Sequence, residues 1–190
     1  MYNIMDIIHF LKSYGLLYPN LKKNFNINKI FELDIKKVFE EPNNVIENIF
    51  VGNIFNSSNY CVIRDYNFKL VINISNNLDN YLENSDLIYE YVKLDIDVDE
   101  NFMDNFDNLN NPNNPNNSNN PNNPNIIEDT IDKIILFQSR TNSKSLLNDN
   151  ILIYSDKNEK ISLFLLNVLK KKYNLSKNKI LKLLEKVGLL

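Results

Sequence analysis

The sequence has a single cysteine, Cys61, which excludes an internal disulfide framework and leaves no cysteine-rich zinc site. A single histidine, His9, argues against a histidine-based metal centre, and nothing around it makes a catalytic constellation. No metal and no cofactor is expected. No uninterrupted apolar run approaches the roughly 20 residues of a membrane span. The N-terminus has no basic region leading into an apolar core and a small-residue cleavage site, so no secretory signal is read there. The net charge of −3 gives no global basic field for nucleic acid. The default is a cytoplasmic or nuclear protein, not secreted, with neither nucleic acid nor membrane as partner. Its oligomeric state is left open.

What is present suits one domain with appendages, and 190 residues are enough to bury a core. From Met1 to Gly15, Ile4, Ile7, Ile8, Leu11 and Tyr14 share one helical face, and Ile27 to Phe39 holds a second apolar set at helical spacing. Residues 1–44 therefore read as a helical extension that packs on the domain, or alternatively docks on a partner, ended by Pro42-Asn43-Asn44. The domain proper spans 45–190. Val45 to Val51 reads as a strand, and a helix is expected around Ser58 to Tyr66 with Ser57 or Ser58 as its cap. Phe68 to Ser75 is a nearly continuous apolar run, which suits a strand buried on both faces of a parallel sheet. Leu87 to Asp97 reads as a further strand.

Residues 108–125 are Asn and Pro at all but two positions, so the segment has almost no apolar surface to bury and reads as a disordered insertion. Helical spacing resumes from Ile126 to Phe137. Asn142 to Asn150 suits a surface loop, Ile151-Leu152-Ile153 a short buried strand, and Tyr154 to Lys160 a polar loop. A helix is predicted from Ile161 to Tyr173, with Lys170, Lys171 and Lys172 as a solvated cluster favoured by its C-terminal dipole. Ser176 is the expected cap of a last helix whose face is Ile180, Leu183, Leu184 and Val187. Strands alternating with helices predict an α/β fold with a largely parallel central sheet flanked by helices.

The chain from Val45 to Leu190 resembles the dual-specificity protein phosphatases, the compact branch of the cysteine-dependent tyrosine phosphatases. Ile49-Phe50-Val51-Gly52 matches the family's opening Leu-Tyr-Leu-Gly strand, and Phe68 to Ser75 resembles its Ile-x-x-Val-Leu-Asn-Val segment. Tyr173-Asn174-Leu175-Ser176 resembles the turn between its last two helices. The family signature is a strand ending in His-Cys, two residues, Gly, two residues, Arg, and a Ser or Thr that opens a helix. Here Tyr154 stands at the His position, Ser155 at the Cys, Asn158 at the Gly and Ile161 at the Arg; only Ser162 matches.

The resemblance implies that these losses remove the chemistry. The family's cysteine attacks phosphorus as a thiolate of lowered pKa, and a serine hydroxyl has no comparable acidity. Its arginine grips two phosphate oxygens with a planar fork, which Ile161 lacks. Its glycine lets the loop turn N–H groups inward, often at positive φ, and Asn158 is the best non-glycine substitute. The family's general acid falls by register on Val98, with Asp97 and Asp99 on either side as candidate vestiges of it. The positions left for anion binding are Ser155, Lys157, Asn158, Lys160 and Ser162, at a helix N-terminus. Asp156 and Glu159 oppose such binding. The expected function is that of a pseudophosphatase, a catalytically inactive module binding a protein or phosphoprotein. The alternative is a residual or atypical phosphatase using Ser155.

Overall fold

The computed structural model describes residues 40–96, 124–141 and 149–190. The N-terminal extension up to residue 39, the Asn/Pro insertion before residue 124, and both Asp97 and Asp99 lie outside the described residues.

Five strands form one sheet: β1 (Asn43–Ile46), β2 (Ile49–Gly52), β3 (Phe68–Ile74), β4 (Glu90–Leu94) and β5 (Asn150–Tyr154). Their spatial order is β1-β2-β5-β3-β4. β1 is antiparallel to β2, and every other pairing is parallel. Between them run α1 (Ile54–Ser58), α2 (Tyr60–Asp65), α3 (Pro124–Thr141), α4 (Asn158–Tyr173) and α5 (Lys177–Lys186). The expected parallel sheet flanked by helices is what forms.

β5 occupies the centre, and its sequence shows why. Ile151, Leu152, Ile153 and Tyr154 are all fully buried, as a strand covered on both faces requires. Ile151 and Ile153 enter the larger core with Ile131, Ile134 and Phe137 of α3, Leu165 of α4 and Ile180 of α5. Leu152 and Tyr154 point to the opposite face and join Ile63 of α2, Phe68, Val71 and Ile88. The period-two alternation of side chains thus divides one apolar run between two cores.

Local chemistry departs from expectation in two places. Val45 to Val51 is a hairpin of two short strands, not one strand. Glu47 takes a left-handed φ of 49°, and Asn44 Nδ2 donates to its carbonyl at 2.8 Å. The helix expected around Ser58 is two helices capped by asparagines. Asn53 Oδ1 accepts from the amides of Phe55 and Asn56, while Asn56 Oδ1 accepts from Asn53 N. Asn59 Oδ1 accepts from Cys61 N and Val62 N. Ser57 and Ser58 instead donate back to the carbonyls of Ile54 and Phe55. An amide side chain reaches these orphan N–H groups as well as a hydroxyl does. Ser176 does hold the N-cap position of α5, but its hydroxyl makes no capping bond.

Gly52 sits where β2 turns into the first of these caps. A Cβ there would lie 2.6 Å from Asn56 Oδ1 and 3.0 Å from Leu152 Cδ1. Asn56 cannot retreat without releasing Asn53 N. Gly52→Ala is therefore expected to lower stability by about 1–3 kcal/mol, read as a lower urea midpoint. An unchanged midpoint would show that the cap yields freely.

Candidate functional site

In an open parallel sheet, loops at the carboxyl ends of the strands converge over the sheet edge. Two such loops meet here: residues 155–157 after β5, and residues from Ser75 onward after β3.

Tyr154, the last residue of β5, lies under this edge. Its hydroxyl donates to the Asp79 carbonyl at 2.9 Å and lies 2.6 Å from the Tyr91 hydroxyl. With the Tyr154 proton committed to Asp79, Tyr91 is the donor of the second bond. Burial pushes both phenols far above the ordinary tyrosine range, so both stay neutral. Asn73, paired with Tyr154 across the sheet, donates to Leu78 O and Asn80 Oδ1 at 3.0 Å each. Tyr154 is thus a core residue that ties down the loop after β3. It does not project into the 155–157 loop.

Ser155 is half-buried, and its hydroxyl is already engaged. Oγ donates to the Ile74 carbonyl, accepts from Lys157 N at 3.3 Å, and lies 3.1 Å from Asp156 Oδ1. One hydroxyl proton cannot serve both oxygens at once. The Asp156 carboxylate is the centre of the loop. Oδ2 accepts from Asn77 Nδ2 at 3.0 Å, and Oδ1 faces Lys160 Nζ at 4.0 Å. Burial pushes the Asp156 carboxyl up, but hydrogen bonds from Asn77, Ser75 and Ser155 and the charge of Lys160 outweigh it and hold it below the usual aspartate value. Lys160 is only 8% exposed.

The helix that follows begins at Asn158, about one turn before the predicted Ile161. Two expectations change with it, for Asn158 and Ser162, while Ile161 is buried as its place on the apolar helix face predicts. Asn158 takes no left-handed conformation, since the described non-glycine residues with positive φ are Glu47, Asn67, Leu82 and Asn174. Ile161 lies in the larger core at 2% exposure. Ser162 sits in the second turn, where Oγ lies 3.0 Å from the carbonyls of Asn158 and Leu189 and donates its one proton to either. Lys157 is the N-cap, exposed, and makes no side-chain cap bond.

Of the five candidate positions, the structure therefore brings Ser155 and Lys160 together and leaves Lys157, Asn158 and Ser162 outside the cluster. It adds Asp156, Ser75 and Asn77. The last two carried a signal: polar residues directly after a buried strand of a parallel sheet belong to the edge where sites form. Among the described residues, no three His, Cys, Asp or Glu side chains are grouped to hold a metal ion. Among them too, no helix is long and apolar enough to cross a membrane.

No protein-family model matches the sequence, and no curated protein matches it. Solved structures do. Human DUSP28 carrying a Tyr-to-His substitution aligns with a TM-score of 0.51 at 10% identity, over 78% of this chain and 83% of that one. Human tyrosine phosphatase-like serine/threonine/tyrosine-interacting protein aligns with a TM-score of 0.51 at 13% identity, over 77% and 83%. Unsubstituted human DUSP28 gives 0.50 at 11% identity, over 78% and 82%. The chain has a dual-specificity phosphatase-like fold.

Proposed function

We propose that this protein is a catalytically inactive, phosphatase-like domain that acts by binding a protein partner. The observation that carries the reading is the state of Ser155. At the position of the nucleophile stands a hydroxyl whose proton is taken either by the Ile74 carbonyl or by the adjacent Asp156. No histidine lies among the described residues to act as its base. Asp156 is near enough, but a carboxylate held below its usual pKa is a weak acceptor for a hydroxyl proton. Ile161, at the position of the phosphate-gripping arginine, is committed to the core. One structural neighbour carries "phosphatase-like" and "interacting protein" together in its name, which is consistent with this fold serving interaction. The single cysteine fits a reducing compartment, the cytoplasm or nucleus.

The competing reading, a residual phosphatase, makes Ser155 its nucleophile, so turnover separates the two. Hydrolysis of p-nitrophenyl phosphate by the wild-type chain is expected to equal that of Ser155→Ala, both at background. Turnover that disappears with Ser155→Ala would establish the hydrolase and end the proposal. Peptide arrays in phosphorylated and unphosphorylated versions are expected to show no phosphate preference. Selective phosphopeptide binding would instead make the partner a phosphoprotein.

A further inference from the structure

In the Asp156 cluster, side chains from three segments converge on one carboxylate: Asn77 and Ser75 from the loop after β3, Ser155 from the loop after β5, and Lys160 from α4. None of the four is acidic. Lys160 is a buried cation, and in water-poor surroundings a buried cation is tolerated only beside a counter-charge. Asp156 lies within four residues of it on the same chain segment, its side chain only 19% exposed. Exposed neighbours are Lys157, whose side chain makes no bond to the helix end, and Glu159 in the first turn of α4.

We infer that this loop carries its own resident anion: Asp156 fills a seat whose donors would otherwise bind a tetrahedral oxyanion such as phosphate. The wild-type protein is closed to phosphate because the seat is taken, and removal of the carboxylate opens it. A Ser hydroxyl, an Asn amide and a Lys ammonium are donors that suit a phosphate oxygen, and each lies within 4.0 Å of the Asp156 carboxylate whose place an oxyanion would take. This rests on the non-catalytic reading of the loop, yet the two fail separately. A folded Asp156 variant that takes up no tungstate would sink the seat and leave that reading standing.

The test is a thermal melt of the full chain with increasing inorganic tungstate, a phosphate mimic, on wild type, Asp156→Ala and Asp156→Ser. A ligand that binds only the folded state raises the melting point by mass action. Wild type is expected not to shift. Both variants are expected to rise by roughly 2–4 °C at millimolar tungstate, and the rise is expected to vanish when Lys160→Ala is added. Asp156→Ser keeps a polar side chain too short to fill the seat and reports if Asp156→Ala does not fold. A wild-type shift as large as the variants' would mean that Asp156 does not block the seat. No shift in a folded variant, or one that survives Lys160→Ala, would mean that no seat lies beneath it. Either result overturns the inference.

Discussion

Tyr154→Ala is expected to cost about 3–5 kcal/mol, enough to leave much of the protein unfolded if its stability is near the low end of the usual 5–15 kcal/mol. Tyr154 is the largest fully buried side chain among the described residues. Its removal empties the smaller core beside Leu152, Val71 and Ile88. It also releases the Asp79 carbonyl and leaves the Tyr91 hydroxyl without its acceptor. Tyr154→Phe separates the two contributions. The ring stays and only the hydroxyl is lost, so about 1–3 kcal/mol is expected for the orphaned partners. Denaturant midpoints for the pair check this. Near-equal midpoints for Ala and Phe would mean that the hydroxyl network, not the ring, holds this face together.

The second large effect concerns placing the phosphatase signature residues at the positions that the resemblance assigns to them. The triple variant Ser155→Cys, Asn158→Gly, Ile161→Arg is expected to show no phosphatase turnover and to be several kcal/mol less stable than wild type. The dominant cost is Ile161→Arg, which places a guanidinium at a 2% exposed position of the larger core. Asn158→Gly adds a smaller penalty, at most about 1 kcal/mol, because Asn158 is helical and needs no glycine. Circular dichroism, a urea melt and a p-nitrophenyl phosphate assay read the outcome. A stable triple variant that turned over phosphate esters would show that the first turn of α4 unwinds readily into a phosphate loop, and that the retained pocket lacked only its chemistry.

The sheet was readable because burial on both faces leaves a plain mark. Phe68 to Ile74 and Ile151 to Tyr154 are apolar runs too short for helices of the core. The start of α4 was not readable from periodicity, because Asn158, Glu159 and Lys160 carry no apolar stripe to extend the pattern. The hairpin turn at Glu47 was hidden for another reason. A left-handed φ is uncommon at glutamate, so its side chain gives no hint of it. Asp156 was visible only as a charge opposing phosphate. Its partners Ser75 and Asn77 come from the far side of β4 and α3 in the chain, and only the parallel crossover brings them to the same edge.

The place of β5 in the sheet also fixes the order in which the protein can be completed. Gly52 and Asn73 both await the same partner, Tyr154, which is translated after every other strand. Until then β2 and β3 have no bond to each other, and each offers an open apolar edge in the nascent chain. Such edges invite pairing with other chains. Widening the sequence gap between β4 and β5 adds little to the closure entropy, about 0.6 kcal/mol per doubling of the loop. It does lengthen the time for which those edges wait, so the centre of the finished sheet is also its last gap to close.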